Sequence, residues 1–184
     1  MTIIGQLTGY IFGPPIHRAA FRGDLKKLEA LIKVGTDPNS RESSELTPLM
    51  LATQKGHKDI AEFLLSHGAD VNAKTKIGFT ALFNACIRGD LGTARLLINH
   101  GADVNVKQYG KEPLLGYATL KGNREIVELL LSHGADPFAA DETGLTALKV
   151  AQFRSRHEIA ELIESYMNNK ENKNAEQNTQ PDSQ

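Results

Sequence analysis

The sequence predicts an all-α solenoid, a stack of short helix-turn-helix units joined by extended, hairpin-like loops. Runs with the apolar spacing of helices lie between regularly placed glycines. A repeated unit of this size is typical of proteins whose units cannot bury their apolar faces alone and therefore stack. The glycines recur every 33 residues in two separate series, Gly23, Gly56, Gly89 and Gly122 in one and Gly35, Gly68, Gly101 and Gly134 in the other.

Each unit contains residues that begin and end helices. Thr47-Pro48-Leu49 opens the most regular unit, and proline suits the first helical turn because its missing N–H would be unsatisfied there anyway. Gly56 stands where that helix should end, since glycine adopts the left-handed C′ conformation without Cβ strain. A second, longer helix then ends near Gly68. Each unit is therefore predicted to be a short helix, a tight turn, a longer helix and a loop.

These residues resemble the ankyrin repeat family, which has the same period and a Thr-Pro-Leu-His signature. The resemblance covers residues 14–166, or five units. It is most specific at Thr47-Pro48-Leu49 and at the two Gly-Ala-Asp-Val-Asn runs that start at Gly68 and Gly101. It implies an ankyrin-repeat solenoid that binds a partner along the concave face lined by the first helices.

Three segments are predicted. Residues 1–13 are apolar and uncharged apart from the terminus, and we expect them to cover the open end of the first repeat; a partner-binding or membrane-touching role is the alternative. Residues 14–166 form the repeats. Residues 167–184 are rich in Asn, Gln, Lys and Glu without apolar periodicity, so we expect a disordered polar tail, or alternatively a short recognition segment.

The composition limits the function classes. Hydrophobic residues make up 40% of the chain and the net charge is −1, which is typical of a soluble globular protein. No basic surplus indicates nucleic acid, and the apolar N-terminal segment is too short to span a bilayer and lacks a signal-peptide pattern. Cys86 is the one cysteine, which favours a reducing compartment, so a cytoplasmic monomer is expected.

The last two units depart from the pattern. In unit four, Pro113 replaces the opening threonine and Gly116 falls inside the first helix, where glycine costs ~1 kcal/mol relative to alanine. We expect this helix and the loop before it to be a local weak point. In unit five, Ser155 replaces the turn glycine. Polar departures at the end of a stack are typical of a terminal capping repeat.

Two columns of residues carry the functional hypothesis. The residue before each turn position is cationic in all five units, and the residue before that is apolar in four of five. The resemblance places both at the end of the first helix on the concave face. The hypothesised partner-binding set combines these columns with three loop aromatic or aliphatic residues: Phe21, Arg22, Gln54, Lys55, Ile77, Phe79, Ile87, Arg88, Tyr109, Leu120, Lys121, Phe153 and Arg154.

The favoured interpretation is a groove for another protein that offers an acidic segment with apolar anchors. Cations near a helix C-terminus also favour the macrodipole by ~0.3–1 kcal/mol without any partner, but that effect does not predict the apolar column beside them. The alternative function is nucleic-acid binding through the cationic column, which the net charge and the absence of tryptophan disfavour. An enzyme is a distant alternative, since no catalytic motif is present.

A third column comprises His67, His100 and His133, each before a helix-ending glycine. Successive repeats hold these imidazoles too far apart for one zinc ion, so we expect helix capping and no metal or other cofactor. Three loop asparagines, at positions 39, 72 and 105, are expected to hydrogen-bond the turn backbone. The resemblance implies that asparagines of this kind can be hydroxylated.

Overall fold

The chain forms five successive helix pairs in a computed structural model that describes residues 13–108 and 111–178. The first members of the pairs pack on one another in sequence order, as do the second members, so we call them inner and outer helices. The inner helices are α1 (Pro15–Arg22), α3 (Pro48–Lys55), α5 (Ala81–Arg88), α7 (Leu114–Lys121) and α9 (Ala147–Phe153). The outer helices are α2 (Leu25–Lys33), α4 (Lys58–Ser66), α6 (Leu91–Asn99), α8 (Arg124–Ser132) and α10 (His157–Asn178).

A loop connects each outer helix to the next inner one. In the loop before α7, strand β1 (Lys107–Gln108) pairs antiparallel with β2 (Glu112–Pro113). The loops before α3, α5 and α9 close with the same backbone bond, in which an N–H donates to the carbonyl four residues on. The predicted all-α solenoid with hairpin-like loops is confirmed.

Threonine side chains begin three of the inner helices. The hydroxyls of Thr47, Thr80 and Thr146 each accept a bond from the backbone N–H three residues on, at 3.1–3.3 Å. Replacing such a cap by alanine typically costs ~1 kcal/mol. Pro14 and Pro113 occupy the corresponding position in the other two units and provide no side-chain cap.

Left-handed turns end the inner helices where the sequence predicts them. The turn glycines, from Gly23 to Gly122, have φ between 73° and 81°. Ser155 keeps the same conformation at φ 53° although it carries a Cβ. A left-handed non-glycine residue costs roughly 1–2 kcal/mol, so the last turn keeps the geometry of the stack at the expense of local strain.

Stacking produces one continuous core. Leu64, Leu97, Leu130 and Ile163 occupy the same place in successive outer helices, and all are fully buried. Between the inner helices, the largest buried side chain is that of Phe83. Because each column of apolar side chains continues from one unit into the next, every interior unit depends on both neighbours.

Asparagines join the loops of neighbouring units. The amide Nδ2 of Asn72 donates to the carbonyl of Gly101 at 2.9 Å, and its Oδ1 accepts the N–H of Asp103 at 2.8 Å. The same pair of bonds recurs one unit before and one unit after, from Asn39 and Asn105. The asparagines therefore bind backbone, as expected, but the backbone belongs to the next repeat and not to their own turn.

The last helix continues beyond the predicted end of the repeats. Where the sequence predicts a disordered tail from Met167, α10 runs on to Asn178, and the structure corrects that part of the prediction. Met167 stands 33 residues after Gly134, at the place where the earlier outer helices reach a left-handed glycine, so nothing forces the chain to turn. The ammonium of Lys170 also pairs with Asp136 at 2.9 Å. Residues 1–12, predicted to cover the first repeat, and residues 179–184 of the predicted tail lie outside the described residues.

His17 is a buried polar residue in the first unit. Its ring Nε2 lies 3.1 Å from the carbonyl oxygen of Leu46, while its Nδ1 has no hydrogen-bond partner. Since a carbonyl only accepts, the neutral ring carries its proton on Nε2. Burial lowers the pKa of His17 below its ordinary value, because an imidazolium in this site would lose its hydration.

We expect an exchange of turn residues to move stability in opposite directions. Ser155→Gly should raise the free energy of unfolding by about 1 kcal/mol, because glycine removes the left-handed strain. Gly89→Ser should lower it by more, since φ is 73° there and a Cβ would lie 3.1 Å from the Asn123 amide nitrogen. Urea unfolding of both variants measures the change. A loss of stability in Ser155→Gly would contradict this account.

Acid should weaken the fold through His17. Its folded-state pKa is lowered, so below about pH 6.5 the unfolded chain binds more protons than the native state, and stability falls as the pH decreases. Unfolding free energies at pH 7.5 and 5.5 should differ less in His17→Gln than in the wild type. An equal pH dependence in both proteins would mean that another group is responsible.

Candidate functional site

The candidate site is the surface formed by the last turn of each inner helix. Because inner helices stack side by side, the two residues before each left-handed turn form two parallel columns, one cationic and one mainly apolar. We call this surface the groove. Its members are Phe21 and Arg22, Gln54 and Lys55, Ile87 and Arg88, Leu120 and Lys121, and Phe153 and Arg154.

All five cationic side chains are exposed, but they are not equivalent. The ammonium of Lys55, in the second unit, lies 4.3 Å from the centroid of the Phe21 ring in the first unit, which is a cation–π contact between neighbouring units. The guanidinium of Arg88 donates to the backbone carbonyl of Gln54 at 3.1 Å. Both side chains therefore link neighbouring repeats.

The remaining cations are available. Within residues 13–108 and 111–178, the side chains of Arg22, Lys121 and Arg154 have no ion pair or side-chain hydrogen bond. Two of the three lie in the last two units. The unpartnered positive charge of the groove is thus concentrated toward its C-terminal end.

The apolar column shows the same gradient. Phe21, Gln54 and Ile87 are half-buried, whereas Leu120 is 37% and Phe153 is 84% exposed. An exposed phenylalanine beside an exposed leucine leaves a water-facing apolar surface, which is typical of a contact site when it forms a contiguous patch. The columns predicted from sequence therefore exist, but only their C-terminal half presents exposed apolar groups.

The three predicted loop residues have different surroundings. Ile77 is 43% exposed at the loop before α5. Phe79 is half-buried, and its ring packs against Phe83 with centroids 5.0 Å apart, so much of its surface serves the core. Tyr109 lies outside the described residues.

A cleft at the same end of the molecule was missed by the sequence reasoning. It has a volume of about 120 Å³ and lies between α7, α9 and the loops that precede them. Gly116 opens it, because the equivalent places in the preceding units hold Met50 and Phe83, and nothing lies within 4 Å of a Cβ built on Gly116. The lining residues are Glu112, Pro113, Gly116, Tyr117, Leu120, Asp141, Leu145 and Val150. The sequence signal for the cleft is Gly116 itself, a glycine inside a predicted helix.

The two edges of this cleft differ in their charged side chains. The carboxylate of Asp141 accepts bonds from Thr143 and from the Leu145 N–H, and these bonds hold the pKa of Asp141 below its usual value. Glu112 is exposed on the same, loop side. The free cations Lys121 and Arg154 stand at the other side, at the helix ends. The loop side also carries Lys111, which pairs with Glu142 at 2.6 Å, and Lys149, which donates to the Gly144 carbonyl at 2.9 Å. The cleft therefore has a loop edge of mixed charge and a helix edge with two unpaired cations.

The histidine column caps helices, as expected. The ring Nδ1 of His67 lies 2.8 Å from the carbonyl oxygen of Phe63, four residues earlier, and the corresponding atoms of His100 and His133 contact Leu96 and Leu129 at 2.9 and 2.8 Å. The Nδ1–H donates to a carbonyl of the last helical turn. That carbonyl also accepts a second bond, from the Ser66 hydroxyl at Phe63, the Ser132 hydroxyl at Leu129 and the His100 N–H at Leu96. Among the described residues, no group of His, Cys, Asp and Glu side chains could hold a metal ion.

Cys86 belongs to the core. It is fully buried in α5, and burial raises the pKa of its thiol to about 12. The thiol therefore stays protonated at neutral pH and is a poor nucleophile.

The fold and the columns define a class, the helical-repeat solenoids. The chain belongs to the ankyrin repeat family within it: the family model for ankyrin repeats in three copies matches residues 16–108 and again 105–176. Repeats of this family generally mediate protein–protein interactions and are typically not enzymes. In the part of the chain that the structure describes, no helix is long and apolar enough to cross a membrane.

Two curated relatives share part of the repeat sequence. The potassium channel SKOR of Arabidopsis thaliana is 44% identical over 45 residues, and the potassium channel GORK of the same plant is 42% identical over 45 residues. The match covers 24% of this chain but only 5% and 6% of those two proteins. The likeness thus concerns a short stretch of repeats within much longer proteins.

Zinc should leave the protein unchanged, because its histidines donate to carbonyls and do not converge. We expect the melting temperature with a several-fold molar excess of zinc to equal that without it. EDTA-treated protein provides the control. A rise of several degrees that EDTA reverses would show that the histidine column holds metal after all.

Proposed function

We propose that this chain is a non-catalytic module that binds a partner protein along the groove, chiefly at its C-terminal half. The observation that carries the proposal is the pairing of exposed apolar side chains, Leu120 and Phe153, with the cations Lys121 and Arg154, which have no described partner. Exposed apolar anchors with charged neighbours are the usual composition of an interface centre and its rim.

The partner should present an acidic segment with apolar anchors. Truncating a central apolar anchor costs more than removing a rim charge, often ~2 kcal/mol or above for a hot spot. Rim charges act mainly on the association rate and on its salt dependence. The two columns therefore have different roles, holding the partner and steering it.

The structure sharpens the choice of variants. Ile87 is half-buried and Arg88 binds the carbonyl of Gln54, so changing either would also disturb contacts between repeats. Leu120, Phe153, Lys121 and Arg154 can be changed with less effect on the stack. Lys27 and Glu128, exposed on the outer helices, offer matched controls.

We expect Leu120→Ala with Phe153→Ala to raise the partner's dissociation rate, because apolar contact is lost. Lys121→Glu with Arg154→Glu should mainly slow association and flatten its salt dependence. Immobilised protein would first capture partners from native lysate, with mass spectrometry comparing the variants in parallel, and surface plasmon resonance would then measure the rates for the captured protein.

Lys27→Glu and Glu128→Lys should bind as the wild type does; removing the exposed Arg124–Glu128 pair should cost little stability. Binding that is lost in these controls and retained in folded groove variants would place the contact surface on the outer helices and refute the proposal. The alternative of nucleic-acid binding has its own test. Mixed-sequence DNA bound with steep salt dependence, lost between about 50 and 200 mM salt, would support it.

A further inference from the structure

We propose that the cleft opened by Gly116 is the anchor pocket of this module and takes one large apolar side chain, aromatic or long aliphatic, from an acidic peptide segment of the partner. This inference rests on the proposed function and narrows it to one pocket and one kind of segment. No other unit among the described residues has glycine at the corresponding inner-helix position, where His17, Met50, Phe83 and Lys149 stand.

The size of the cleft fits one ring. Its volume is about 120 Å³, and a dry engineered cavity of roughly 150 Å³ binds benzene. Five of its lining side chains are apolar or aromatic: Pro113, Tyr117, Leu120, Leu145 and Val150. Leu120 and Leu145 are 37% and 42% exposed, so an entering side chain would cover apolar surface that water now contacts.

Phe83 shows what a filled version of this place looks like. It stands one unit earlier at the position of Gly116, is 1% exposed, and packs edge-on against the Tyr117 ring with centroids 4.9 Å apart. One part of the Tyr117 ring is therefore already in contact with Phe83. Tyr117 lines the cleft as well, whereas the residue that corresponds to it in the next unit is Val150. An entering side chain would therefore meet an aromatic wall on one unit and an aliphatic wall on the other.

Charge selects an acidic segment. Lys121 follows Tyr117 by four residues and Arg154 follows Val150 by four, so each cation lies one helical turn from a residue that lines the cleft. Neither has a described ion pair, whereas the opposing Asp141 carboxylate already accepts bonds from its own loop. Glu112 remains as an exposed acid on the loop edge. Carboxylates of the segment should therefore face the helix ends.

The test uses full-length ¹⁵N-labelled protein and a defined probe, the acetylated and amidated peptide Glu-Glu-Phe-Glu-Glu. We expect saturable amide shifts centred on Tyr117, Leu120 and Leu145. Gly116→Phe, which fills the cleft from within, should weaken binding at least tenfold. Gly92→Phe is the matched control, since Gly92 lies exposed on outer helix α6 and makes only ordinary contacts; it should bind as the wild type does.

Three further probes separate the parts of the proposal. A peptide with alanine in place of phenylalanine should bind at least tenfold more weakly, and one with lysines in place of the glutamates several-fold more weakly. Phenylacetate alone should give no saturable shift at the same concentration. If the lysine peptide binds as tightly, the charge argument is wrong; if phenylacetate does, the cleft is a small-molecule site and not an anchor pocket.

Circular dichroism and thermal melting test whether Gly116→Phe folds. Leu145→Ser is the second variant, because it removes one exposed wall of the cleft without entering the core, and it should also weaken the peptide. Unchanged peptide binding in both variants would overturn the inference. If both variants retain the captured partner while Leu120→Ala with Phe153→Ala loses it, the pocket is refuted and the groove stands. If all of them retain it, the groove is refuted as well.

Discussion

No helix pair in this chain can bury its apolar face alone, and the rest of the structure depends on that constraint. Helices of seven to nine residues are marginal in water, so all but the last one here are held by their neighbours. Stacking meets this need through the buried columns of the outer helices and through side chains that bond to the backbone of a neighbouring unit. Asn72, Asn84 and Arg88 all make such bonds.

The same constraint creates the surface. Once units stack in register, equivalent residues must lie side by side, and a feature repeated along the sequence becomes a column on the protein. Some members of the cationic column are then used to hold the stack, as Arg88 is, and are no longer free for a partner. The cationic column therefore serves the stack at Lys55 and Arg88, whereas Arg22, Lys121 and Arg154 make no such contact within the described residues.

The features that distinguish this chain from a regular repeat array occur where its sequence departs from the repeat. Ser155 accepts a left-handed conformation because the stack requires the turn there. Met167, in place of a glycine, lets the last helix continue and carry Lys170 to Asp136 and close to the Phe138 ring. Phe138 is also where an asparagine would otherwise reach toward a following repeat. Gly116 has a lower helix propensity and a smaller side chain than Met50 and Phe83 at the same position of the preceding units. The space that it leaves is a cleft at the most exposed part of the groove.

The sequence by itself determined the period, the helix-turn-helix unit, the glycines that end the inner helices and the membership of both columns, because these depend on local backbone preferences that glycine and proline set. It also predicted that the histidines cap helices. Only the tertiary structure decided which members of the cationic column are free. Lys55 contacts the Phe21 ring and Arg88 donates to the Gln54 carbonyl, and both partners lie 34 positions earlier in the chain. The length of α10 and the cleft at Gly116 also needed the tertiary structure, because Lys170 pairs with Asp136 of the preceding unit and the far wall of the cleft comes from Val150 of the following one and from Leu145 just before it.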